Sequence, residues 1–153
     1  MTTAAEVIAA LGLRPHPEGG WYGETYRSPA TADERPAVSA IHYLLEAGQV
    51  SAWHRIDATE VWLYHAGAPL KLSLAAADDA APQTHRLGPD VLAGERPQIV
   101  VPTGWWQSAV SGGDWTLVSC VVAPAFGFDG FEMARAGWGP GGACSFQETV
   151  ERS

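Results

Sequence analysis

Lysine occurs once in the 153 residues, at Lys71, and 9 basic residues stand against 17 acidic ones. The resulting formal charge of −8 argues against a protein that tracks nucleic-acid phosphates. A single lysine also leaves no polybasic patch for an anionic membrane surface. Long apolar runs are missing: nothing approaches the roughly 18 residues of a membrane-spanning helix. The first residues, MTTAAEVIAALGL, lack the basic start and extended apolar stretch of a secretory signal, so the expected compartment is the cytoplasm. Cysteine is scarce. Cys120 in an apolar run and Cys144 in a glycine-rich tail make neither a disulfide framework nor a Cys-x-x-Cys pair. There is no internal repeat, no low-complexity tract and no linker, and the length fits one domain with a real core.

What the chain does have is punctuation. Seventeen glycines and eleven prolines separate short apolar segments rich in Val, Trp and Tyr, the pattern of many strands and turns. Thr3-x-x-Glu6 has the spacing of a capping box and Gly12 is a stop, which predicts one short helix over residues 3 to 11. WYGETYR, Trp21 to Arg27, reads as a strand. AVSAIHYLL and QVSAWHR read as two strands joined by EAG into a hairpin, and EVWLYHA with PLKLSLAA as a second pair around Gly67. RPQIVVP and WTLVSCVVAP supply two more. Helical periodicity hardly shows after residue 12, so the expectation is an antiparallel sandwich or closed barrel.

One stretch, GQVSAWHRIDATEVWLYHAG, carries chemistry. Gly48, His54, Ile56, Glu60 and Gly67 follow the spacing of the first cupin motif, with isoleucine where its second histidine belongs. Pro102-Thr-Gly104-Trp-Trp-Gln107 resembles the second motif, with glutamine in place of histidine. A broader resemblance runs from about Leu11 to Ala134 through HPEGGWYGETYRS, YLLEAGQVSAWHR, DATEVWLYHAGAPL, RLGPD, RPQIVVPTGWWQSA and PAFGFDGFE. Together these look like a family of cupins of unknown function, similar in fold to the rhamnose-pathway sugar epimerases. The resemblance implies an all-β, single-domain double-stranded β-helix (a cupin jelly roll) with one short N-terminal helix. It gives a cupin domain over residues 1–134 and a glycine-rich tail over 135–153, and it implies a homodimer.

Alternate side chains of a strand share a face. If Glu60 points into the barrel, Trp62 and Tyr64 point in with it and His65 points out; His54 and Ile56 share a face likewise. The resemblance gathers His54, Glu60 and Gln107 around one cavity mouth. A jelly roll needs none of these three for stability, because an apolar residue would fill each place without a desolvation cost. Their joint presence favours a pocket for something polar. His42 joins them under one hairpin register and turns away under another.

An imidazole titrates near neutrality, and a neighbouring carboxylate fixes its tautomer and raises its basicity. The leading expectation is therefore proton transfer of isomerase, epimerase or lyase type on a small polar metabolite, with no cofactor. His54 is the base or acid, Glu60 orients it, and Tyr64 or Tyr26 is the second proton carrier by likeness to the epimerases. Trp62, Gln98 and Gln107 are candidate substrate contacts, and Arg27 and Arg35 could meet an anionic ligand at the rim. A divalent metal held by His54, Glu60 and Gln107 is the alternative, with only one strong imidazole donor among them. A non-catalytic binding protein with the same cavity is a third reading. In bland terms His54 and Glu60 are a satisfied core pair, Glu18 and Glu132 satisfy loop amides, and His16, His65 and His85 are solvated.

Overall fold

The computed structural model describes residues 1–143, and the tail from Cys144 onward lies outside the described residues. Thr3 starts helix α1, Ala4–Leu11. Its Oγ1 accepts from the Glu6 amide at 3.3 Å while the Glu6 carboxylate accepts from the Thr3 amide at 2.8 Å. Gly12 closes the helix in the left-handed region. Both ends thus obey local capping chemistry.

Eleven strands follow among the described residues: β1 Arg14–Pro15, β2 Trp21–Arg27, β3 Ser39–Glu46, β4 Val50–Ile56, β5 Thr59–Gly67, β6 Leu70–Ala75, β7 Gln83–Leu87, β8 Gln98–Val101, β9 Trp106–Ser111, β10 Trp115–Ala123 and β11 Phe131–Met133. They form two antiparallel sheets, one in the order β1-β2-β3-β10-β5-β8 and the other β11-β4-β9-β6-β7. This is the expected jelly roll, but the two expected hairpins are not there. β3 pairs with β2 and β10, whereas β4 pairs with β9 and β11. β5 and β6 likewise lie in opposite sheets. A short glycine-containing turn looks the same in sequence whether the next strand folds back or crosses to the facing sheet. At Ala47 the turn is held by Asp114 of the β9–β10 loop, whose carbonyl accepts from the Ala47 amide at 2.8 Å.

Between the sheets, Tyr43, Leu45, Trp62, Leu70, Leu72, Leu74, Leu87, Val101 and Val118 pack as one buried cluster. They come from the end of β3, the middle of β5 and β10, all of β6 and the last residues of β7 and β8. Register then decides what happens further along. Val118 pairs with Tyr43, Cys120 with Ile41 and Trp62, and Val122 with Ser39 and Glu60. Two residues beyond the solid core the inward positions become Ile41, Cys120, Glu60 and Val122, and there the space between the sheets is hollow.

The first-motif glycines are not equivalent. Gly48 (φ 82°) and Gly67 (φ 85°) both adopt the left-handed region, but a Cβ on Gly48 would meet open space and one on Gly67 would strike the Trp115 backbone and ring. Gly48→Ala is expected to cost about 1 kcal/mol from conformation alone. Gly67→Ala should cost at least about 2 kcal/mol more, because the β5–β6 crossover must shift. Urea denaturation of both variants checks the difference; equal losses would refute it.

Candidate functional site

Glu60 and Trp62 share the inward face of β5, and Gln107 reaches toward them from β9 of the other sheet. Trp62 Nε1, which can only donate, gives its hydrogen to Gln107 Oε1 at 2.8 Å. The amide is thereby fixed in orientation, and Gln107 Nε2 donates to Glu60 Oε1 at 2.8 Å. All three side chains are buried. Burial pushes the Glu60 carboxyl up to about 7, with the His54 charge opposing, the Glu18 charge adding, and hydrogen bonds from Gln107 and Cys120 opposing.

His54 lies directly opposite Gln107 in the β4–β9 ladder. Its Nδ1 is 2.7 Å from the Ala52 carbonyl oxygen, which can only accept, so Nδ1 carries a hydrogen. Nε2 is 3.1 Å from Glu18 Oε2. The partner that orients His54 is thus Glu18, together with Ala52, and not Glu60. Glu18 stands in the β1–β2 loop, where its carbonyl accepts from the Ala52 amide at 2.9 Å and its Oε1 accepts from Ser51 Oγ at 3.0 Å. The next residue, Gly19, has its carbonyl held by the Tyr43 hydroxyl. Burial pushes the Glu18 carboxyl up and the His54 imidazole down, as low-dielectric surroundings disfavour both charges.

His16 joins this group instead of facing solvent, with only 6% of its side chain exposed. Its Nδ1 accepts from the Glu18 amide at 3.0 Å, leaving the hydrogen on Nε2. Its ring meets Tyr22 and Tyr43 edge-on at 4.5 and 5.7 Å. Burial lowers its basicity too. Glu18, His54, His16 and Glu60 together line one cavity of about 230 Å³ whose apolar wall includes Ile41, Ile56, Val122 and Phe126. Cys120 lines it beside Glu60, its thiol held protonated chiefly by burial and then by the Glu60 charge. Glu24, Arg27 and Phe128 complete it toward solvent.

Several residues singled out in the sequence stand elsewhere. Tyr64 keeps the inward parity of β5, opposite Val118, and packs against the solid core, but it does not line the cavity. Its hydroxyl donates to the Gly67 carbonyl at 2.6 Å, and the β-bulge between Leu117 and Val118 comes only beyond it. Tyr26 is 54% exposed, and Gln98 is exposed on the edge strand β8. Neither lines the cavity. Gln107, expected at the cavity mouth as a substrate contact, is fully buried and does not line the cavity, and neither does Trp62; both act on it only through Glu60. His42 is on the outer face, its ring 6.2 Å from that of His65, which bonds Ser119, and His85 is exposed. Arg35 holds Asp57 through two bonds, at 2.8 and 3.0 Å, and Glu132 pairs with Arg55 at 2.8 Å. Glu18 and His16, expected as a loop-amide acceptor and a solvated imidazole, are instead buried members of the site. Their signal was the segment HPEGG itself, where two glycines follow an acid and let the chain bend back onto β4.

The ligand set His54, Glu60 and Gln107 does not fit a resident metal as it is arranged. Both ring nitrogens of His54 are engaged, and the Gln107 oxygen is taken by Trp62. Among the described residues no group of three or more His, Cys, Asp or Glu is arranged to hold one ion.

The Glu60 carboxyl gives a stability test. In the fold it keeps its proton to about pH 7, whereas the unfolded chain releases one near 4.5. Its stabilisation is therefore full below 4.5 and is lost as pH rises through about 7. Glu60→Gln cannot titrate and still accepts from Gln107. Between pH 4.5 and about 8 the wild type should lose on the order of 3 kcal/mol relative to this variant. Parallel urea-denaturation curves across that range would refute the assignment.

The chain matches the family model described as Cupin superfamily (DUF985) over residues 5–134. It is similar to a solved protein from Shewanella oneidensis, with 40% identity, a TM-score of 0.83 and coverage of 89% of this chain and 87% of that one. A hypothetical protein from Leishmania major shares 32% identity at a TM-score of 0.80, over 88% of this chain and 89% of its own. Oxalate decarboxylase from Bacillus subtilis shares the fold alone, with 12% identity and a TM-score of 0.59 over 78% of this chain and 29% of that one. No curated protein matches. With the family model spanning nearly all of the barrel and both motif stretches, the chain belongs to the DUF985 family of the cupin superfamily.

Proposed function

We propose that this cupin holds one small polar metabolite in the barrel cavity and moves a proton on it, as an isomerase, epimerase or lyase does. The observation that carries this reading is the 3.1 Å contact between Glu18 Oε2 and His54 Nε2 in the cavity wall. Because Nδ1 is committed to Ala52, the contact holds together in one of two ways. Either a protonated Glu18 donates to neutral His54, or an imidazolium donates to a carboxylate. Both forms contain one mobile proton for two atoms.

Burying such a pair costs desolvation that an apolar pair would avoid, and nothing in the packing of the barrel calls for it. Perturbed acids and bases gathered in a cleft favour a catalytic use. In this mechanism the Glu18–His54 unit accepts a proton from carbon beside a ligand carbonyl. It returns the proton to a different position for isomerisation, or the carbanion expels a neighbouring group in a lyase reaction. Glu60 faces the same cavity from the opposite sheet. Burial moves the Glu18 and His54 proton affinities toward each other, which makes sharing the proton easier.

Wash-in of solvent deuterium into a panel of small aldehydes, ketones and keto sugars tests the reading. Glu18→Gln and His54→Ala should each lower incorporation by about 100-fold or more, while His42→Ala, on the outer face, leaves it unchanged. Absence of both exchange and elimination products with wild-type protein across the panel would overturn the proposal.

A further inference from the structure

We infer that the cavity selects a ligand carrying a nitrogen cation, an amine seated at Glu60, and turns away carboxylates and phosphates. This rests on the reading above that the cavity is the ligand site, and it names the class of molecule that fits.

The argument is a charge account of the cavity wall. Three carboxyls line it, Glu18, Glu24 and Glu60, and one guanidinium, Arg27. Arg27 is already committed. Its Nε and Nη2 donate to the two carboxylate oxygens of Glu24 at 3.1 and 2.9 Å, and its Nη1 donates to the Phe126 carbonyl at 3.0 Å. An arriving anion would have to break a bidentate pair to reach it. Glu18 and His54 share one proton and are neutral as a unit. Glu60 is left over.

The groups that face Glu60 are Gln107 from β9, Cys120 from β10, His54 from β4 and Glu18 from the β1–β2 loop. Gln107 is a neutral amide bound to one oxygen, Cys120 offers a weak thiol donor, and His54 is already engaged with Glu18 and Ala52. His54, tied to Glu18 in a unit of no net charge, offsets the Glu60 carboxylate only in part, and no Lys or Arg among the described residues pairs with it. Burial consequently holds the group near neutrality, and a ligand ammonium would relieve that penalty by bringing the missing charge. Apolar neighbours Ile56 and Val122 lower the local dielectric and sharpen the preference for a cation over an anion. The Phe126 and Phe128 rings stand at the same cavity, with centroids 5.0 Å apart, and aromatic faces attract a cation more than a neutral molecule. At longer range the net charge of −8 draws cations toward the molecule.

Benzylamine, benzyl alcohol and benzoate form a matched probe series that differs only in the polar end. Titration of the whole protein at low salt, followed by methyl NMR signals of Ile56 and Val122, should show benzylamine binding about tenfold or more tighter than benzyl alcohol. Benzoate should not bind. In Glu60→Gln the amine advantage should shrink to about twofold, with benzyl alcohol binding retained as the sign that the cavity is intact. Benzoate binding as tightly as benzylamine, or an amine preference that survives Glu60→Gln, overturns the inference. If that happens while deuterium wash-in persists, the charge argument alone has failed. If none of the three probes moves the cavity signals, this inference falls, and the absence of wash-in as well would remove the ligand-site reading beneath it.

Discussion

One buried amide organises the polar interior. Gln107 crosses from one sheet to the other, and its orientation is decided by a partner with no choice: the Trp62 indole can only donate. The amide nitrogen must then turn to Glu60. Because an amide N–H is satisfied by either a carboxylate or the carbonyl oxygen of a carboxylic acid, Glu60 keeps its position in both protonation states. A histidine at this place would have offered a metal donor. A glutamine offers instead a fixed bracket that leaves the second carboxyl oxygen to the cavity. The substitution that makes the second motif look defective is, in the fold, what holds the carboxyl in place.

Around that bracket the molecule divides into a solid half and a hollow half. Large apolar side chains of β3, β5, β6 and β10 fill the space around Trp62, and two residues further on the same strands carry Ser39, Ile41, Glu60, Cys120 and Val122 instead. The dense half supplies the apolar burial that stabilises a domain of this size. It therefore bears the cost of the buried acids and imidazoles at the other end. Tyr43 links the halves: its ring packs on Trp62 at 5.9 Å and its hydroxyl holds the loop that carries Glu18.

The parts that were legible in the sequence are those governed by short-range rules. The helix from Thr3 to Gly12 is a matter of caps, and the β2 limits are a matter of pattern, so both could be read directly. Spacing of Gly48, His54, Glu60 and Gly67 gave the jelly roll through resemblance, and the same resemblance put His54 and Glu60 toward the inside, while strand parity said only which neighbours share their faces. Pairing was not legible, because β3 and β4 meet different partners from distant parts of the chain and the turn between them carries no record of it. Tyr64 fails as a site residue for a different reason: parity does bring it inward opposite Val118, but the hollow end of the barrel lies around Glu60, four residues earlier on β5. Glu18 was missed because its importance comes from contact with residues 33 and 36 positions later, Ser51 and His54. Loop acids usually satisfy nearby amides, and only the folded loop brings this one to an imidazole.

The closed geometry around His54 has a consequence for any spectroscopic or kinetic titration of the protein. One ring nitrogen is tied to a carbonyl and the other to Glu18, while the fields of Glu60 and His16 reach the same few ångströms. Protons leave such an assembly in macroscopic steps that belong to all of its members at once. An inflection observed at His54 will report the occupancy of the whole network, and no single residue's constant can be read from it until its neighbours are silenced one at a time.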